Sequence, residues 1–223
     1  RSSLPPSLAP PSVGRSGADD VFLNVPFDDR RGYERCFLAL IAGTVGLGLS
    51  PHSVLEVPSG GVDRQRRIFD LLKSCRYSLH DLSRVEPSGG RYPRFNMPFE
   101  AGLAPALALS DRPAHDRYIL ETHPRRVLRT LSDLNGVDVY GHGGTARGML
   151  RALSNIFIRP GSGGLAHLEE VFDSLIRFAD SEVRAQAGRA GIFQPWAFSQ
   201  LVVAAREADR MLRARHARSR RRR

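Results

Sequence analysis

Two carboxylates stand out for where they fall in the chain. Glu100 lies in PFEAGLAPAL, in the first turns of a helical pattern, and shares a face with Leu103, Ala104 and Leu107. A helix start favours an anion through the macrodipole, which is one sufficient reason for a glutamate there. The apolar stripe below it, however, sets this carboxylate against a core rather than in open water. Burial raises a carboxyl pKa and helix amides lower it, so the sequence does not sign the net shift. Asp81 ends the apolar run Tyr77-Ser78-Leu79, where an aspartate also serves as a turn or helix-capping residue. Two carboxylates facing one cleft can divide labour. One acts as nucleophile or stabilises a cationic transition state, and the other orients sugar hydroxyls.

The elements that must position them alternate along the chain. Apolar strand-like runs are expected at 21–25, 53–57, 77–82, 117–121 and 137–140. Helical patterns are expected at 32–47, 62–74, 96–109 and 125–134, and from the GHGG turn at 141–144 through residue 157. A loop at 83–95 precedes the helix of Glu100. Strands separated by helices of this length predict an α/β fold, a doubly wound parallel sheet of about five strands with right-handed crossovers. Beyond residue 163 the pattern changes to two long helices, 165–186 and 195–213, which either pack on the sheet or form an appendage. The expected division is a Pro/Ser-rich disordered arm at 1–18, an α/β domain at 19–160, a helical extension at 161–212 and an Arg-rich tail at 213–223.

Ligands bind open parallel sheets beyond the carboxyl ends of the strands. That rule selects Asn24, Pro26 and Phe27 after the first strand, and His80, Ser83 and Arg84 around the third. It also selects Arg94, Asn96 and Met97 before the Glu100 helix, and His142 and Gly143 after the last strand. Arg84 and Arg94 are either phosphate ligands or solvated loop residues. The GHGG turn offers amides to an anion, but it lacks the spacings of known phosphate loops, and a glycine turn needing positive φ accounts for it better. His80 and His142 have no partners at metal-ligand spacing, so no metal is expected. No G-x-S-x-G elbow is present, which disfavours a serine hydrolase.

Composition narrows the class further. The chain carries 33 basic and 23 acidic residues, a net charge of +10. Seven arginines and no acidic residue lie in 213–223; without them residues 1–212 carry +3. The basic character therefore belongs to the end of the chain, and a nucleic-acid-binding body is not indicated. A weak nucleic-acid contact through 213–223 is the expectation that remains. Lys73 is the sole lysine, an arginine skew that coding bias explains. Cys36 and Cys75 read as buried free thiols of a reducing compartment. No apolar run is long enough to span a bilayer and residues 1–18 have no signal core, so a cytoplasmic protein without a membrane partner is expected.

Three segments together, VFLNVPFDD at 21–29, HDLSR at 80–84 and RFNMPFEAGLA at 94–104, resemble the nucleoside 2-deoxyribosyltransferase-like and TIR-like group. They are most similar to a family of uncharacterised bacterial proteins sharing the HDLSR and RFNMPFE motifs, and the likeness runs over roughly residues 20–157. The resemblance implies a flavodoxin-like sheet and cleavage of the N-glycosidic bond of a nucleotide-like ligand, with NAD a candidate substrate and no cofactor required. It implies that Glu100, in Phe99-Glu100-Ala101-Gly102, is the nucleophile or the stabiliser of the oxocarbenium ion. Asp81 corresponds to the aspartate that holds the sugar, and Asn24 to Phe27 to the loop beside the ligand. Asn96-Met97-Pro98 replaces the Gly-Thr pair of the transferases, and Asn-Val-Pro-Phe replaces the serine-rich loop of TIR domains. The alternative within the same resemblance is a non-catalytic nucleotide-sensing or assembly module. A homo-oligomer is expected in either case.

Overall fold

The computed structural model describes residues 17–27, 32–56, 63–85, 95–108, 115–123, 125–134, 136–159, 163–188 and 191–220. Residues 1–16 of the expected arm, Arg94 and residues 221–223 lie outside them. The elements run β1 (Gly17–Asn24), α1 (Tyr33–Gly46), β2 (Ser50–His52), α2 (Arg64–Ser74), β3 (Cys75–Asp81), α3 (Asn96–Ala108), β4 (Asp116–Glu121), β5 (Val139–Gly141), α4 (Ala146–Ile156), α5 (Gly164–Phe178), α6 (Arg184–Ala187) and α7 (Pro195–Arg220). The five strands form one parallel sheet in the order β2-β1-β3-β4-β5, the doubly wound, flavodoxin-like order.

Register sorts the side chains between two faces. Val21 pairs with Tyr77, Phe22 with Ser78, Leu23 with Leu79 and Asn24 with His80. Because side chains alternate along a strand, Val21, Leu23, Leu79 and Leu120 go to one face, where they join α1, α4, α5 and α7 in the largest core cluster. Phe22 and Ile119 go to the other, under α2 and α3. Helix α1 is buried without a break from Cys36 to Gly46, as expected of a helix that is apolar all round. A Cβ on Gly43 would come within 2.4 Å of Leu153 Cδ1, and one on Gly46 within 2.7 Å of Leu168 Cδ2. These glycines let α4 and α5 close on α1.

Four expectations need correction. Gly17 and Ala18 belong to β1 rather than to the arm, since Gly17 pairs with Cys75. The second strand is Ser50–His52, not 53–57. Ser53 N–H donates to Glu56 Oε2 at 2.9 Å and Leu55 N–H to Ser53 Oγ at 3.3 Å, so Val54–Glu56 coils into a 3-10 turn; such local side-chain bonds compete with a ladder. The helix expected at 125–134 is two 3-10 turns, Val127–Arg129 and Ser132–Leu134. Arg125 has φ 64°, which excludes it from a helix, and Glu121 Oε2 takes the Val127 N–H at 3.0 Å where the first 3-10 turn begins. Finally, α7 continues to Arg220, so the arginine run is helical through most of its length. Its first member, Arg213, donates to Asp209 and to the Gly46 carbonyl at 2.7 Å.

The C-terminal helices pack on α1 and on each other, outside the helix layer that covers this face of the sheet. Leu168, Val171 and Leu175 of α5 and Phe198, Leu201 and Ala205 of α7 are all fully buried in the cluster that contains α1. Between α5 and α6 the helix widens into a π turn, Ala179–Val183. No helix among the described residues is long and apolar enough to cross a membrane. Cys36 and Cys75 are buried and unpaired, and burial pushes both thiols up to about 12.

Candidate functional site

The carboxyl ends of β1, β3, β4 and β5 form one edge, and the residues selected there divide between its two faces. Asp81 turns toward α1 and is completely buried. Ser83 donates to Oδ1 twice, from its backbone N–H at 2.9 Å and its hydroxyl at 2.5 Å. The Tyr33 hydroxyl donates to Oδ2, and His142 Nε2 lies 3.4 Å from the same oxygen. Proton positions in this cluster follow from the backbone. Gly144 N–H donates to His142 Nδ1 at 3.2 Å, so the ring proton is on Nε2 and goes to Ser83 Oγ at 2.9 Å. Ser83 in turn gives its proton to Asp81. Burial alone would raise the Asp81 carboxyl, but His142, Ser83 and Tyr33 together hold it below its ordinary value. Burial, then the Asp81 charge, drives the Tyr33 hydroxyl well above its usual range, so it remains a donor.

Glu100 stands on the opposite face, in the first turn but one of α3, and is 5% exposed. Arg64 Nη2, from the first residue of α2, reaches its Oε1 at 3.3 Å. Asn96, one turn earlier in α3, and Asn24, from the end of β1, also hydrogen-bond to the carboxylate. These partners lower its pKa less than burial raises it, so the Glu100 carboxyl sits above the usual carboxylate range. Ala104 and Leu107 continue the stripe below it into the core.

Asn24 is itself held by a chain of hydrogen bonds under the sheet. His115 Nδ1 lies 2.9 Å from the Cys75 carbonyl, which only accepts, so His115 donates there and accepts at Nε2. The Ser78 hydroxyl, 2.8 Å away, must then donate to His115 and accept from His80 Nε2 at 2.9 Å. His80 Nδ1 is left to accept from the Asn24 amide at 2.9 Å. Burial, followed by the charge of Arg117, pushes His80 down to about 3, so this ring stays neutral.

The remaining residues fall into place around these two networks. Pro26 is buried, and Phe27 packs edge-on against Phe37 with ring centres 6.3 Å apart. Met97 is buried under Leu82 and Ile119. Arg84 is half-buried, and its charge acts on Tyr33. Gly143 and Gly144 have φ of 61° and 67°. Gly143 N–H is used by the Thr122 carbonyl at 3.0 Å and Gly144 N–H by His142. The GHGG segment is therefore a turn with its amides already paired, not a phosphate cradle. Asp81 and Glu100 do not share a cleft in the expected way, because His80 and Asp81 alternate across the strand and their networks have no residue in common.

Several participants were not selected from the sequence, Ser78 and His115 among them. Tyr33 and Arg64 head the helices that follow β1 and β2, a position the strand-end rule overlooks. Glu121 ends β4 and obeys that rule as well as Asp81 does. It is fully buried, accepts from Arg126 Nε at 2.7 Å, and through Arg126 Nη2 ties down the Ser83 carbonyl at 3.0 Å. Arg94 lies outside the described residues. Compared with known proteins, the chain matches no family model, no curated protein and no solved structure.

Proposed function

We propose that the edge around Glu100 cleaves the N-glycosidic bond of a nucleotide-like ligand, NAD among the candidates, as a hydrolase or transferase. The observation that carries this reading is a carboxylate removed from water at the sheet's ligand edge and only partly compensated by Arg64, Asn24 and Asn96. As a base departs with the bonding electrons, positive charge develops at the anomeric carbon. An under-compensated carboxylate in a dry setting interacts more strongly with that charge than with the neutral ground state, which is the condition for lowering a barrier. Glu100 then either bonds to the anomeric carbon or stabilises it until water or an acceptor hydroxyl attacks. Phe95 and Phe99, 70% and 54% exposed beside Glu100, offer ring faces for a base.

Base release from NAD and from a panel of nucleosides tests the proposal. Wild type should release base, and Glu100→Gln should do so roughly 100-fold more slowly or worse. No release by wild type, or equal release by the variant, rejects it. A second reading, that the edge binds a nucleotide without cleaving it, is favoured by one observation: Asp81 already spends its acceptor positions on Tyr33 and on two donors of Ser83. Tight binding with the ligand recovered intact would select that reading.

A further inference from the structure

At the end of α1 remote from Tyr33, three side chains from α5 and α7 converge. His167 and Glu170 are one helical turn apart on α5, and His216 faces them from the last turns of α7. One ligand atom from each lies within 4.8 Å of the other two. His216 Nε2 is 3.4 Å from Glu170 Oε2, and bonds of about 2.0–2.1 Å in tetrahedral geometry put neighbouring donor atoms about 3.3–3.4 Å apart.

Two further observations separate this cluster from a casual surface pair. Glu170 Oε2 is enclosed by protein and accepts no hydrogen bond of good geometry, although His216 Nε2 stands 3.4 Å away. His167 is 3% exposed and its Nε2 donates to Asp209 Oδ1 at 2.6 Å. A carboxylate that holds a histidine's N–H and fixes its ring is the usual outer partner of a metal-bound imidazole. The packing accommodates this ring too: a Cβ on Gly163 would come within 2.4 Å of the His167 Cβ. Arg213 donates to Asp209 and to the Gly46 carbonyl, which anchors the supporting carboxylate to α1.

We propose that His167, Glu170 and His216 bind a divalent transition-metal ion, zinc by donor type, with Asp209 orienting His167. Two imidazoles and one carboxylate suit zinc and its neighbours better than calcium or magnesium. The Glu170 and His216 side chains are 40% and 43% exposed, so the fourth position opens to solvent and is filled by water. The ion fastens the last turns of α7 to α5, at the opposite end of α1 from the carboxylate edge and independently of any chemistry there.

The test uses the full chain, treated with chelator and titrated with zinc chloride by calorimetry, alongside Glu170→Gln and His216→Ala. Both substitutions fall on half-exposed positions, and circular dichroism checks that each variant keeps its helices. One zinc should bind per wild-type chain, and each variant should bind at least tenfold more weakly. Zinc should also raise the melting temperature of wild type more than that of either variant. Absence of saturable one-to-one binding, or a loss below tenfold in either folded variant, overturns the proposal and leaves His216–Glu170 as an ion pair.

Discussion

The two faces of the sheet treat a buried carboxylate in opposite ways. On the α1 face, Asp81 accepts hydrogen bonds from Tyr33 and Ser83 with the His142 ring beside it, and its carboxyl is held below the ordinary 3.8. On the α3 face, Glu100 has Arg64, Asn24 and Asn96, and burial still lifts it above 4.5. The difference is one of compensation, not depth. A carboxylate whose acceptor positions are filled is a structural joint, here between β3, α1 and the turn before α4. One that is buried but under-paired keeps unspent affinity for positive charge, and that surplus is what chemistry at an edge can use.

Breaking the α1 side should cost most. Asp81→Ala removes the acceptor for three donors and should destabilise the fold by about 3–5 kcal/mol in urea unfolding; a loss under about 1 kcal/mol would show the network to be dispensable. Tyr33→Phe deletes one donor to the charged group and should cost about 1.5–3 kcal/mol by the same measurement, and far less in an Asp81→Ala background. Glu100→Gln should change stability least, within about 1 kcal/mol in either direction, because the amide no longer carries a desolvated charge.

The same comparison has a pH dependence of definite sign. Asp81, depressed on folding, contributes stability above about 3.8 that is lost as pH falls through its lowered folded value. Glu100, raised on folding, contributes stability that is full below about 4.5 and lost as pH rises through its raised value. Unfolding free energy measured against pH should therefore lose part of its acid limb in Asp81→Ala. In Glu100→Gln it should lose the decline that begins above about 4.5.

Alternating apolar runs and helical spacing made the parallel sheet and most of its helices legible. Where the chain departed from that reading, a side chain had captured the backbone. Glu56 and Ser53 pulled 54–56 out of the second strand, and at 125–134 the positive φ of Arg125, with Glu121 bound to the Val127 amide, leaves only 3-10 turns. Neither event leaves a trace in periodicity. Within the site, the positions of Asp81 and Glu100 at the edge were readable because strand ends and helix starts are. Their separation onto two faces follows from alternation after Ser78, which sends His80 and Asp81 opposite ways. The partners Tyr33, Arg64 and His115 depend on crossovers and register, and no local spacing encodes them. The arginine run looked like an appended tail because charge hides amphipathicity. Leu201, Ala205 and Leu212 keep the inward face of the helix that carries it.

The hydrogen bonds from Asn24 through His80, Ser78 and His115 to the Cys75 carbonyl all point one way. Because a carbonyl terminates them, no single member can reverse without leaving a clash of two donors or two acceptors. Asn24, only 4% exposed, must therefore turn its amide nitrogen toward His80 Nδ1 and is held in that orientation. The orientation of the Asn24 amide is thus decided at the far end of β3, where His115 meets the Cys75 carbonyl.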